Sequence, residues 1–408
     1  MHESAAIAPE KLPQERKASP ALPTSALAKW SRQTPAGEAV HIPALACSMA
    51  RQHPGQSGAF DWVPFQSGTM SLAAALLFAS HQLNPAAPVL LPAYSCPDLL
   101  AAALYARLPI RFVDLAPSLT CPSTTSIADK LQGNPHIVVA VDLFGSASPL
   151  QGLRTACEPS KSTIVHDCAQ SIAGPGIEPS SEADLVVASF GRGKPTTLLG
   201  GGATWARDFG SFSSFAVGTF PSCRWHPTAT LVKALSYNLA LTPSIFGLVS
   251  RVPLADVGKT AFRNLRAIRR LPSSWLLHVA DQIEFQRRQI NARRARTVRL
   301  LEQLHAFGFA VPLDAAASAY ATGLNRLPII CRDPEQAAMI AAAGKPLGIS
   351  AMYGRTLPEF FRPVCDNPVD PLLYPNALDF SRRLVTVPTH SRILDDAQHA
   401  ILSLFRDA

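Results

Sequence analysis

Residues 183–194 read Ala-Asp-Leu-Val-Val-Ala-Ser-Phe-Gly-Arg-Gly-Lys, an apolar run that breaks into a glycine-rich turn carrying a lysine. Upstream, Ser-Thr-Ile-Val-His-Asp-Cys at 162–168 is a second apolar run, this one ending on an acid. Short, continuous apolar runs bounded by turn residues mark strands buried on both faces. The pattern recurs outward as VLLPAY (89–94), IRFVDL (110–115), HIVVAVDLF (136–144) and GGATWA (201–206). Helical patterns start at Thr69 and at Pro97 between the early runs. Strands alternating with helices predict an α/β fold, a mostly parallel sheet covered on both sides. Ligands of such sheets sit beyond the carboxyl ends of the strands.

The chain has 408 residues, 47% of them hydrophobic and 16% charged, which excludes a disordered polymer and allows two compact domains. The net charge of +8 suits an anionic substrate or an acidic membrane surface. The cysteines are scattered singly, without metal-ligand spacing, so reduced thiols and no metal are expected. The polar N-terminus lacks the apolar core of a secretion signal, and a cytoplasmic protein is expected. Residues 1–55 read as a loosely ordered arm that docks through Trp30 and the HIPALAC stretch. Residues 56–275 read as a large α/β domain with an apolar helical insertion near 226–260, and 276–408 as a smaller α+β domain. The latter opens with a long helix from Trp275 and carries strand-like NRLPIICR and GISAMY. The stretch 226–270 has two readings, a pair of core or dimer-interface helices, or a peripheral membrane contact with arginines reaching acidic head groups. The arginines between Arg263 and Arg299 lack aromatic interleaving, so no nucleic acid partner is expected.

Three stretches carry chemistry. Ser67-Gly68-Thr69 opens a helix, and free N–H groups at a helix start beside a glycine hold a phosphate. Asp167 ends a buried strand, where a carboxylate can pair with a protonated ring nitrogen. Lys194 lies in a glycine-rich turn, where desolvation and Arg192 favour a neutral, nucleophilic amine. The sequence GRGKPT lacks the spacing of a nucleotide-binding P-loop, and Pro195 follows the lysine. Each stretch alone also has a bland reading: an N-cap, a turn acid, a surface lysine.

Together, S-G-T, then D-x-A-Q, then S-F-x-x-x-K resemble the DegT/StrS family of pyridoxal phosphate (PLP)-dependent sugar aminotransferases. The likeness extends to residues 91–115, to VDLFG (141–145), and to GISAMYGRTL and LVTVPTH near the C-terminus. It implies the aspartate aminotransferase (type I) fold, a PLP cofactor and a homodimer. It also implies a nucleotide-sugar substrate with an amino-acid donor, in polysaccharide or cell-surface glycan biosynthesis. By the same resemblance Lys194 is the Schiff-base lysine and Asp167 the partner of the pyridine nitrogen. Gln170 lies beside the cofactor hydroxyl, and Ser67, Gly68, Thr69 and Ser189 surround the phosphate. Tyr353 and Arg355 stand where the small domain approaches substrate.

Departures from the family pattern are specific. Cys96 stands where an aromatic side chain stacks on the ring, so either Tyr94 stacks instead or the ring rests on a smaller side chain. Asp142 replaces the family's histidine, and the G-x-N-x-R segment is not recognisable, leaving Arg192 to supply phosphate charge. Two alternatives stay open: a deoxysugar dehydratase, whose relatives carry histidine in place of Lys194, and a non-catalytic scaffold at the inner membrane face.

Overall fold

The structure, a computed structural model, describes residues 33–50 except 36, 60–249, 262–364, and 369–408 except 394. Trp30, most of the arm and the end of the 226–260 stretch lie outside the described residues. Within the arm, the HIPALAC segment forms part of α1 (Ile42–Ala50), which buries Leu45.

Each apolar run read from the sequence becomes a strand: β2 (Val89–Pro92), β3 (Ile110–Val113), β4 (Ile137–Val141), β5 (Thr163–Asp167), β6 (Leu185–Ser189) and β7 (Gly202–Ala206). With β1 (Trp62–Phe65) they build a seven-stranded sheet in the order β1-β7-β6-β5-β4-β2-β3. β2 to β6 pair in parallel, and β7 runs antiparallel to both β6 and β1. Helices α2 (Gly68–Leu83), α3 (Pro97–Tyr105), α4 (Thr124–Leu131) and α5 (Leu150–Cys157) alternate with the strands. Then follow α6 (Phe209–Thr219), α7 (Pro227–Ala240) and α8 (Pro243–Val249). The mostly parallel α/β architecture is the one expected.

Successive side chains of a strand point to opposite faces, and two apolar layers result. Val139, Val141, Val165, Leu185 and Val187 pack on one face against α2, α3 and α6. Val138, Ala140, Ile164, Val186 and Ala188 pack on the other, against α1, α4, α5 and α9 (Trp275–Arg288). The parity continues past the apolar residues. Asp167 and Ser189 therefore face α2, and His166 faces α9.

The long helix expected from Trp275 is two helices, α9 and α10 (Ile290–Ala306). Gln289 separates them, its N–H tightening to Gln286 O at 3.0 Å instead of continuing the four-residue ladder. The break lets α9 bury Val279 and Ile283 against the sheet while α10 turns its Leu300, Leu301 and Leu304 into the C-terminal part. There α11 (Leu313–Ala321) precedes β8 (Arg326–Ile330) and α12 (Pro334–Gly344); then come α13 (Leu357–Phe361), α14 (Pro375–Arg383), β9 (Leu384–Pro388) and α15 (Asp395–Arg406). β8 and β9 form a separate antiparallel pair. The strand-like GISAMY joins β9 only through a bridge at Ser350. Its chain swings into left-handed backbone at Met352 (φ 27), Tyr353 (φ 56) and Gly354 (φ 63), which ends extended pairing.

One close approach ties α2 to the sheet. A Cβ on Gly202 would stand 2.5 Å from Ser71 Oγ and 2.7 Å from both Gly68 Cα and Ser67 O. Gly202→Ala is expected to cost about 2–3 kcal/mol of stability through overpacking against backbone. Urea unfolding of the variant beside the wild type measures it, with a shift below half of that counting against the contact.

Candidate active site

The site is assembled at the carboxyl ends of β5 and β6, on the face covered by α2. Ser67 is the N-cap of α2, its Oγ accepting from Met70 N at 3.1 Å, so this hydroxyl serves the helix. The N–H groups of Gly68 and Thr69 belong to the first turn, where no intrahelical partner exists. Ser189 Oγ stands directly over that turn: a Cβ on Gly68 would lie 2.5 Å from it. First-turn amides, the positive end of a helix dipole and a hydroxyl thus face one small space, a donor set that fits a phosphate.

Asp167 is 5% exposed. Its Oδ1 accepts from Ala169 N at 2.9 Å. Burial pushes its carboxyl up, while that N–H and the Lys194 ammonium pull it back down. A second cation at this carboxylate would offset the desolvation further, which is what a protonated ring nitrogen provides. The donor set and the buried acid fit a pyridine ring with a phosphate arm.

Lys194 follows Ser189 through a loop closed at its base. Phe190 N donates to Gly201 O at 3.0 Å, and Phe190 O accepts from Leu198 N at 2.9 Å and Gly200 N at 3.1 Å. The Phe190 ring packs edge-on against Trp275, which is 2% exposed. Gly193 adopts φ +77 and its O accepts from Asn325 Nδ2 at 3.3 Å. The Lys194 charge is felt both by Asp167 and by Cys96, whose thiol burial pushes up to about 12.

Gln170 is oriented by the VDLFG turn. Its Oε1 accepts from Phe144 N at 3.1 Å, which leaves Nε2 to donate to Tyr353 OH at 3.1 Å. Tyr353 also meets the Cys96 thiol, so an aromatic side chain does reach that position, delivered from the C-terminal part. Tyr94 is fully buried, donates to Met352 O at 2.7 Å and packs on Phe380. Arg192 is exposed and its charge acts on Tyr237 of α7. Arg355 is exposed as well. The structure thus brings Gly68, Thr69, Asp167, Gln170, Ser189, Lys194 and Tyr353 together with Tyr94 beside Tyr353, their ring centroids 5.9 Å apart, and engages the Ser67 hydroxyl and Arg192 in other contacts.

A second polar cluster, unremarked in the sequence, lies behind Asp167 on the α9 face. His166 Nε2 and Asp142 Oδ1 are 2.8 Å apart, and Asp142 also accepts from Ser148 N and Ser171 Oγ, each at 3.0 Å. Burial opposes both charges, yet the pair prevails: Asp142 is held below the usual carboxylate range, and His166 well above the usual imidazole value with Cys168 and Asp142 raising it. Cys168 Sγ lies 3.3 and 3.4 Å from the two ring nitrogens, across the ring face rather than on one nitrogen. These groups line a cavity of about 260 Å³ that also touches Arg293 and Asn325. The signal available in the sequence was only the position of Asp142, which replaces a histidine.

Known proteins share this architecture. Residues 57–215 match the model of the DegT/DnrJ/EryC1/StrS aminotransferase family. No curated protein matches the chain. Among solved structures, 3-amino-5-hydroxybenzoic acid (AHBA) synthase is 15% identical with a TM-score of 0.66, covering 93% of this chain and 99% of that one. The aminotransferase TlmJ from Streptoalloteichus hindustanus is 18% identical with a TM-score of 0.62, covering 92% and 97%. The ntda protein from Bacillus subtilis, solved with bound cofactor PMP, is 14% identical with a TM-score of 0.61, covering 96% and 85%. These likenesses establish the fold of PLP-dependent aminotransferases. The resemblance read from the sequence is thus matched by the family model over residues 57–215, and the fold expected from it by structures that include cofactor-bound aminotransferases.

Asp142→Asn is expected to destabilise the protein by about 3 kcal/mol, because it strands a buried imidazole partner. The sign with pH follows from the two shifts. The depressed Asp142 contributes above the unfolded carboxylate value and is lost as pH falls through its folded value. The raised His166 contributes below the unfolded imidazole value and is lost as pH rises through its folded one. The stability gap between wild type and Asp142→Asn should therefore be widest at mildly acid pH and shrink on both sides. A gap that does not vary with pH in denaturant titrations would count against the charged pair.

Proposed function

We propose that the protein transfers an amino group from an amino acid such as glutamate to a keto group of a nucleotide-linked sugar, in the biosynthesis of a polysaccharide or cell-surface glycan. The observation that carries this reading is the convergence of Lys194, the desolvated Asp167 and the Gly68–Ser189 cradle on one face of one sheet. When bound, PLP supplies an aldehyde carbon and a ring that takes up the electron pair of a broken C–H bond. Gly68 and Thr69 N–H with Ser189 Oγ hold the phosphate, and Asp167 keeps a proton on the ring nitrogen. Gln170 Nε2, turned outward by Phe144 N–H, serves the ring hydroxyl side together with Tyr353. Lys194 Nζ would anchor the cofactor and, as a free amine, would move a proton between the donor α-carbon and the cofactor. The net charge of +8 favours a diphosphate-linked acceptor. The lysine at position 194 speaks against a deoxysugar dehydratase.

The functional unit in this reading is a cytoplasmic homodimer. Val232, Leu235 and Leu239 lie 62%, 51% and 63% exposed along one side of α7, an apolar row that a second copy would cover. The same row, with the exposed Arg263, Arg266 and Arg269, motivates the other reading, a scaffold at the inner membrane face. No described helix is long and apolar enough to cross a membrane.

Purified protein offered PLP should gain an absorption band at the visible–ultraviolet border, and Lys194→Ala should lack it. With glutamate the wild type should release 2-oxoglutarate, and a mass-spectrometric screen of keto nucleotide sugars should then show an aminated product. Absence of the band in the wild type would sink the reading. A band without 2-oxoglutarate, in protein that binds vesicles of acidic lipid at low salt, would favour the scaffold.

A further inference from the structure

The described part of the N-terminal segment, residues 33–41 without 36, is bound along its length. Gln33 N donates to Pro243 O at 3.1 Å, Thr34 N to Pro346 O at 2.8 Å, and His390 Nε2 meets Pro35 O at 2.8 Å. Two side-chain amides act as two-point clamps. Asn238 takes Val40 N–H (3.0 Å) and donates to Val40 O (2.7 Å); Gln282 does the same for His41 at 3.0 and 2.8 Å. Glu38 pairs with Arg293 and accepts from Ser391 N at 3.2 Å and Ser391 Oγ at 3.0 Å. Glu38 and Arg293 are each 5% exposed. A buried ion pair is a poor way to gain stability alone, but it fixes a segment to one register.

What that register achieves is visible at Gly37. A Cβ there would stand 2.8 Å from Gly193 Cα and 3.4 Å from Gly193 N. The segment therefore lies backbone against backbone on the residue before Lys194. From elsewhere Asn325 Nδ2 holds Gly193 O. Among the described residues, the turn Gly191–Lys194 is closed by Lys194 N to Gly191 O at 3.3 Å, a long bond, so its placement depends on these outside supports.

We propose that residues 33–35 and 37–41 are a positioning strap for Lys194, seated by the Glu38–Arg293 pair, which sets the height of the lysine turn and hence the place of the amine relative to Asp167. The proposal rests on the reading of Lys194 as the cofactor lysine. It makes Gly37 and Glu38 positioning residues that touch neither cofactor nor substrate.

The experiment compares PLP-loaded wild type with Gly37→Ala and Ser391→Ala, and with Ile401→Val in α15 as a core trimming for reference. Gly37 does not occupy left-handed backbone, so alanine there acts through the Gly193 contact alone. Read out are the PLP dissociation rate and the pH midpoint of the absorption band, beside the thermal midpoint. Gly37→Ala should release PLP about tenfold faster and move the band's midpoint, displacements of an ångström being able to cost a hundredfold. Ser391→Ala should move both in the same direction by less, and Ile401→Val should lower the thermal midpoint only. If Gly37→Ala does not fold, Ser391→Ala decides. A wild type that forms the band, with strap variants releasing PLP at the wild-type rate, overturns the strap alone. A wild type without the band overturns the role of Lys194 and the strap with it.

Discussion

Side-chain parity along two adjacent parallel strands is the constraint on which the rest of the molecule depends. Apolar side chains of β5 and β6 alternate between two layers, and burial on both faces leaves no freedom to slip by one residue. The last residues inherit that alternation. Asp167 and Ser189 are thereby delivered to the face where α2 begins, and His166 is sent to the opposite one. A one-residue slip would exchange the acid for the imidazole and dissolve the site.

The two faces handle charge in different ways. Behind the sheet, Asp142 and His166 offset each other, and Asp142 is further satisfied by Ser148 and Ser171. In front, Asp167 has one backbone N–H and the lysine ammonium against its desolvation, and burial still raises it. An unsaturated buried acid is poised to receive another cation, whereas a saturated one is structural. The difference between neighbouring acids at the ends of β4 and β5 therefore lies in their surroundings and not in residue type.

Contact between distant segments completes the site. Position 96 carries a thiol, and Tyr353 reaches it from a left-handed turn in the C-terminal part while holding Gln170. The strained backbone at Met352–Gly354 is kept in place from the other side by Tyr94, whose hydroxyl donates to Met352 O. Tyr94 thus acts through one hydrogen bond and through packing on Phe380 and Tyr353.

Strand identities, the parallel sheet and the strand ends and turns that carry Gly68, Asp167 and Lys194 were legible in the chain, because each follows from short-range facts. A buried strand must be apolar, a phosphate site needs free N–H groups, and a lysine close to a cofactor needs glycines around it. The break at Gln289, the pairing of Asp142 with His166, the engagement of the Ser67 hydroxyl by Met70 and of Arg192 with Tyr237, and the seating of Gly37 on Gly193 were not legible. They depend on which segments meet after the chain has closed on itself, through pairs separated by tens to hundreds of positions. Local pattern therefore determined the elements and the kind of chemistry at their ends. Only tertiary packing decided which polar groups were consumed by one another, because satisfaction of a buried charge or amide is a property of its neighbours and not of its own sequence.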